Sequence, residues 1–574
     1  MKHRNFILKS CWFLTMGVLI SCGPKADLLE NEVIADSGNT EGDTDSGIPT
    51  EDVPTENLEG QLKNGLTYVI RYVTHSYQYQ RSNSIDVFSG YFSVSNSDFQ
   101  YGGALPYIYY YPNAYFGGPL AGSKSLYPYI YHAYHYAANE KHNLPEWKAI
   151  AQILYAYSTQ ELVDFYGTVP YYDFRNLKET PPLNYLDGKL CYKLILDDLT
   201  EAVAILKERR PTAEVLKRIE GTEGGYSDGK WEKWVKFANS IRLRMAMNMV
   251  NADVTWAQQT AEEAVNDPVG LLLEQDGDFI LPDNGQTEHP LYGISMVWND
   301  ERLGAALENI MKRYENPLIG KWFNKNSATI KAKEGGAIML TSGRDYVGIR
   351  NGVQLYPNSG NTIGYGTFSA FSYKYMPRAY FKVVENLFTL SEAALRGWNV
   401  GNTAKEYYER GIRYSFNEYG FGNEVETYLQ KETVKEVDYI DYYVPEFSCE
   451  GRVKVGVKWD ENASQETLLE QIVTQKYIAN FPMSAEAWTT FRRTGYPRLF
   501  PAPEKYKWTY DDSFDVETQI RRLPFNNTNS NEAAEIPYIE KALGAPNAAG
   551  TQVWWDVTDW TVRDDRGWPV PDNF

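Results

Sequence analysis

The sequence predicts a mainly α-helical protein with an irregular, loop-rich subdomain, and one segment spaced like a tetratricopeptide helix pair. Three observations predict it. Long stretches repeat apolar residues at three- and four-residue spacing. Two regions, about 276–378 and 500–574, lose that spacing and fill with Gly, Pro, Asn and aromatic residues. The chain before about residue 59 has neither pattern.

In chain order, the first 21 residues read as an address. Lys2, Arg4 and Lys9 form a basic start, and the apolar run "CWFLTMGVLI" is too short to cross about 30 Å of hydrocarbon. Leu19, Ile20, Ser21 and Cys22 match the lipobox read by bacterial lipoprotein signal peptidase. Residues 1–21 are therefore expected to be removed and Cys22 acylated. Several acyl chains, each contributing ~0.8 kcal/mol per buried methylene, make a stable anchor. Residues 23–58 are rich in Gly, Asp, Glu, Thr and Pro and have no aromatic residue, so 22–58 is expected to be an acylated cysteine with a flexible acidic tether. Some 36 flexible residues reach roughly 30–35 Å. Residues 59–574 are expected to form a single domain, with the helical scaffold at about 60–275 and 380–500.

Within the scaffold, "EWKAIAQILYAYSTQELVDFYG" places Trp147, Ile150, Leu154, Tyr157 and Phe165 on one stripe, with Gly167 as the stop. "WEKWVKFANSIRLRMAMNMV" does the same with Trp234, Phe237, Ile241 and Met245, and "YFKVVENLFTLSEAALRGW" with Val383, Val384, Leu387 and Leu395. Such stripes are core-facing. Further helices are expected near 190–207, 256–266, 301–314, 403–418, 466–481 and 485–494. Ser484 is placed to cap the last of these, and Gly495 with Pro497 to end it. Ala404, Tyr408, Gly411 and Ile412 have the small-and-bulky spacing of a tetratricopeptide helix pair, without a strict 34-residue repeat.

Charge and composition narrow the function. A net charge of −19 argues against nucleic acid, whose binding rests on clustered Lys and Arg. Aromatics are 15% of the chain, with 45 Tyr and 15 Trp, which suggests sites built from flat amphipathic rings as well as a ring-rich core. Once Cys11 leaves and Cys22 is acylated, only Cys191 and Cys449 remain. They form either one bridge or, as their isolation in sequence favours, two unpaired buried thiols.

Motifs for chemistry are incomplete. Gly225, Ser227 and Gly229 spell a nucleophile elbow, but the preceding segment is charged and turn-like rather than a buried strand. Gly224, Gly229 and Lys230 approach a Walker loop, but Trp231 stands where Ser or Thr should hold magnesium. His132, His135 and His142 share a face if 126–142 is helical, yet no fourth metal ligand accompanies them. "EQDGDF" carries Asp276 and Asp278 without the rest of a calcium loop, so no cofactor is expected, and structural calcium would need ligands from separate loops. The segment from Phe99 to Tyr136 is crowded with Tyr and broken by Pro and Gly. It serves either as a packing layer or as a concave surface whose rings meet a sugar or a peptide side chain.

Taken together, the lipobox, "DFYGTVPYYDF", "GKWEKWVKFANSIRLRMAM", "YFKVVENLFTLSEAALRGW", "QKYIANFPMSAEAWTTFRRTGYPRL" and "RRLPFNNTNSN" resemble the SusD/RagB family of outer-membrane lipoproteins, in particular its SusD-like branch with an R-R-T-G-x-P motif. The resemblance runs in order along nearly the whole mature chain. It implies a helix-pair scaffold and a variable ligand-binding face. It also implies a TonB-dependent SusC-like transporter as partner, with the lipoprotein as its lid on the cell exterior. The cargo would be a glycan or, in the RagB branch, a peptide, and no catalysis is implied. Family ligand sites lie in variable loops, so the nominees are aromatics of comparable loops: Tyr101, Tyr107, Trp298 and Tyr356. Two other classes stand beside this reading. One is a surface glycoside hydrolase, which needs two carboxylates about 5–9.5 Å apart, and the other is a purely structural assembly lipoprotein.

Replacing Cys22 with Ala is expected to release the protein from the membrane fraction. Fractionation with mass spectrometry of the mature amino terminus checks this; mature protein that stays membrane-bound without lipid contradicts it.

Overall fold

The computed structural model describes residues 55–72, 77–82, 84–95, 118–178, 180–220, 225–281, 287–331, 339–353, 364–503, 513–526 and 533–574. The longer helices of the scaffold and its insert are α1 (Thr55–Tyr72), α2 (Tyr127–Ala138), α3 (Pro145–Tyr166), α4 (Gly188–Arg209), α5 (Ala213–Glu220), α6 (Trp231–Asn248), α7 (Val254–Val265), α8 (Ala305–Arg313), α9 (Val383–Leu395), α10 (Ala404–Glu418), α11 (Gln465–Ala479) and α12 (Ser484–Thr494). They pack in series: α1 on α2, α2 on α3, α3 on α4, α4 on α6, α6 on α7 and α9, and α9 on α10 and α11. Among the described residues two short antiparallel pairs tie the insert to this series, and a third lies within the insert. β1 (Phe92–Val94) pairs with β3 (Glu301–Leu303), β2 (Phe279–Ile280) with β6 (Ala379–Phe381), and β4 (Ile330–Lys331) with β5 (Met339–Leu340).

Several ends fall where the sequence places them. Gly167 closes α3 at φ +79°, where a side chain would be strained, and a Cβ there would also sit 2.8 Å from Leu543 Cδ2. Thr403 and Glu406 form a capping box at the start of α10. Other ends differ. The helix expected at 301–314 starts at Ala305, because 301–303 is drawn into pairing with β1. The stretch from Tyr380 likewise begins as β6, and the helix starts at Val383. Ser484, expected as a cap, is the first residue of α12, and Met483 holds the cap position with no side-chain bond. α1 begins at Thr55, ahead of the expected tether boundary at 58.

The helix α9 explains the architecture. Val383, Leu387 and Leu390 belong to the core shared with α1–α7, whereas Val384 and Phe388 belong to a second core with β1, β3, α8, α10 and α11. A helix between two cores is apolar on both sides, and every residue from Val383 to Ala393 is buried. Trp234 and Ile241 on α6 are also fully buried, the Trp234 ring lying 5.1 Å from that of Phe279.

The ambiguous motifs become structural. Gly225–Gly229 is a turn closed by Asp228 N–H to Gly225 O and Lys230 N–H to Ser227 O; it feeds α6, and Ser227 is buried. Asp276 accepts from Lys236 Nζ at 2.5 Å and from Leu273 N–H at 3.1 Å, and Asp278 accepts from the Val383 N–H that opens α9. His142 stacks on Tyr136 at 3.6 Å. Among the described residues no group of three or more His, Cys, Asp and Glu is placed to hold a metal ion. Cys191 and Cys449 are free thiols.

Charged groups lock the scaffold from inside. Arg493 on α12 meets Glu392 on α9 through two bonds of 2.7 Å, and Arg396 reaches the same carboxylate at 2.9 Å. Burial alone would raise the Glu392 carboxyl, but Arg493 and Arg396 hold it down to about 2. Because the folded group is the stronger acid, its stabilisation is complete above its ordinary value of 4.5 and is lost as pH falls toward 2. Glu392→Gln leaves two buried guanidiniums short of their counter-charge. It is expected to lower the unfolding free energy at pH 7 by about 3–5 kcal/mol and to flatten the acid limb of stability below pH 4.5, measured by urea unfolding across pH. Trp234→Ala is expected to cost about 3–5 kcal/mol in the same assay.

Candidate functional site

The loop-rich insert carries one surface that is both apolar and rigid. Pro290 opens a helical turn that widens into a π-helical turn over Gly293–Val297, closed by the Trp298 N–H donating to Gly293 O at 2.9 Å. The turn points Leu291, Ile294 and Ser295 inward. It leaves Met296, Val297 and Trp298 consecutively outside, at 37%, 64% and 55% exposure. Three adjacent large apolar residues in solvent make this turn a candidate contact surface.

The turn is braced from beneath. Ser295 Oγ donates to Glu301 O at 2.9 Å and accepts the Phe371 N–H at 3.0 Å. Arg302 on β3 donates to Ser295 O, to Glu301 O at 2.8 Å and to Gly366 O at 2.8 Å. Asn299 adopts φ +64°, a left-handed conformation that Asn tolerates, and its carbonyl accepts from Ser95 Oγ at 2.9 Å. Gly366 packs so closely against Asn299 that a Cβ would lie 2.7 Å from its amide. The indole of Trp298 thus rises from fixed backbone.

Around it lie polar and aromatic neighbours. Asn324 pairs with Ala370, its N–H donating to Ala370 O at 3.1 Å and its Oδ1 accepting the Ala370 N–H at 2.7 Å, while Nδ2 sits 3.6 Å from Met296 Sδ. Lys374 lies 5.2 Å over Tyr292 and 5.4 Å over the exposed Tyr375, and pairs with Glu288 at 3.1 Å. The acids that follow Trp298 are turned inward. Asp300 accepts from Gln78 Nε2 at 2.8 Å and Glu301 from Ser82 Oγ at 3.0 Å. Burial, reinforced by the Asp86 charge, pushes the Glu301 carboxyl well above the ordinary range. Buried in this way, Glu301 is closed to a bulky substrate.

Of the nominated residues, Trp298 stands at the centre of this surface. Tyr101, Tyr107, Tyr356 and the lipidation residue Cys22 lie outside the described residues. Ser95, which braces Asn299, is the last described residue before 96–117, the segment containing Tyr101 and Tyr107. Gly364, two residues from Gly366, is the first after 354–363, which contains Tyr356. Met296, Val297, Tyr375 and Asn324 were not singled out from sequence. The run "ISMVW" after a glycine carried a signal for the first two, whereas Asn324 carried none.

The chain matches the SusD-like family, described as Susd and RagB outer membrane lipoprotein, over residues 49–556. Among solved structures, a chitin-binding SusD homologue from Flavobacterium johnsoniae is 28% identical with a TM-score of 0.74, over 87% of this chain and 99% of its own. A SusD homologue from Bacteroides vulgatus is 26% identical with a TM-score of 0.72, over 87% of this chain and 97% of its own. Another from Bacteroides uniformis is 26% identical with a TM-score of 0.73, over 87% and 99%. No curated protein sequence matches the chain. The mainly helical scaffold, the inserted loop-rich face and a family match over most of the length lead to one conclusion: the chain belongs to the SusD-like family of outer membrane lipoproteins.

Proposed function

We propose that this protein captures oligosaccharide at the cell surface and holds it on the Trp298 surface, without turning it over. The observation that carries this reading is the exposed indole on a braced turn. The C–H face of a pyranose is apolar and matches a flat ring, while its hydroxyls need directional partners at the edge, for which the Asn324 amide is a candidate. A binding site benefits from a platform that does not reorganise, because ordering costs subtract from affinity. The similarity to a chitin-binding SusD homologue makes chitin oligosaccharides the first ligands to try.

The same reading gives the anchor a purpose. A lipid at Cys22 keeps the protein beside a SusC-like TonB-dependent transporter, and the acidic segment before residue 55 lets it swing from the barrel mouth as a lid. An affinity near micromolar, about 8 kcal/mol, allows both capture and release.

Trp298→Ala is expected to weaken glycan binding by about tenfold, or ~1.4 kcal/mol, with an unchanged unfolding midpoint. Titration calorimetry against a glycan panel, run beside thermal unfolding, checks this; retained affinity in the mutant overturns the site. Affinity purification from mildly solubilised outer membrane is expected to recover a TonB-dependent transporter. Recovery of the lipoprotein alone, with uptake intact in its deletion strain, contradicts the lid.

A further inference from the structure

We infer that Asn324 is a specificity-determining residue that reads the acetamido carbonyl of an N-acetylated, neutral oligosaccharide bound on Trp298. The inference rests on the glycan reading of this surface. Its basis is the fixed orientation of one side-chain amide. The Asn324 Oδ1 is taken by the Ala370 N–H at 2.7 Å, so the amide cannot flip, and Nδ2 is left as a donor. The sole partner of Nδ2 among the described residues is the thioether of Met296 at 3.6 Å, a weak acceptor that a carbonyl oxygen readily replaces. Met296, which this donor touches, and Val297 stand exposed immediately before Trp298 in the chain.

An acetamido group has the matching parts: a carbonyl that needs a donor, and a methyl that gains from apolar contact with Met296 and Val297. A sugar hydroxyl at the same position satisfies the donor but offers no methyl. Two of the charges in the insert are committed within the protein: Lys374 is paired with Glu288 at 3.1 Å, and Arg302 donates to backbone carbonyls.

The test compares three proteins against two ligands of equal length and linkage, a β-1,4-linked N-acetylglucosamine oligomer and the corresponding glucose oligomer. The wild type is expected to bind the N-acetylated oligomer about tenfold more tightly. Asn324→Ala is expected to reduce that preference to within about threefold, by weakening the N-acetylated oligomer more than the glucose oligomer. Asn324→Asp keeps the acceptor for the Ala370 N–H and turns the donor into a second acceptor. It should lose the preference as well, with an unchanged melting temperature, which separates recognition from folding. Equal wild-type affinity for both oligomers, or equal weakening of both by Asn324→Asp, overturns the inference while leaving glycan capture standing. Wild-type binding to neither oligomer, nor to any other glycan of a panel, overturns the glycan reading and this inference with it.

Discussion

Two consecutive arginines, Arg492 and Arg493, lie out of solvent in α12, and much of the scaffold is arranged to satisfy them. A guanidinium in the interior is costly unless its charge is met or most of its donors are used. Arg493 takes its match from α9 through Glu392. Arg492 is held between the faces of Trp488 at 3.7 Å and Trp555 at 4.9 Å, and donates to the backbone carbonyls of Asp164 and Arg521 at 2.7 and 2.8 Å. Those partners come from α3, from α9 and from the carboxy-terminal segment. One turn of helix therefore ties together elements more than 300 residues apart in sequence, and Arg521 extends the link to Asp556 at 2.7 Å.

This closure bears on binding. The insert that carries Trp298 has few regular elements of its own, and its strands are two or three residues long. Its rigidity is borrowed: β1 pairs with β3, β2 with β6, and Arg350 donates to Pro501 O at 2.9 Å and to Phe447 O at 3.1 Å. The packed scaffold supplies the fixed frame, and the exposed apolar residues sit on a turn held to that frame by hydrogen bonds. A surface built this way can change its exposed residues without disturbing the cores, as sites on loops over a stable scaffold generally do.

The sequence was most legible where periodicity and caps agree. The stripe from Trp147 to Phe165 and the stop at Gly167 locate α3, and the spacing of Ala404, Tyr408, Gly411 and Ile412 locates α10. Legibility failed where tertiary pairing overrides local preference. Residues 301–303 and 379–381 look like helix starts but are taken by partner strands, which no local pattern announces. The buried role of "FRRTG" could not be derived from charge alone, since two arginines on a helix ordinarily face water; only family resemblance suggested that the motif is architectural. Trp298 was nominated only because the family resemblance pointed to aromatics in loops of this kind. Asn324 was not, because the Ala370 N–H that fixes its amide lies 46 residues away in sequence.

The central claim is that a glycan binds on the exposed indole of Trp298 while the scaffold stays as it is. A crystal structure of the lipid-free protein with a bound oligosaccharide tests it most directly. The account predicts a sugar ring stacked on the Trp298 indole, with the Pro290–Asp300 turn and the Arg493–Glu392 pair unchanged. A ligand bound elsewhere with Trp298 still facing solvent, or a turn rebuilt around the sugar, would contradict it.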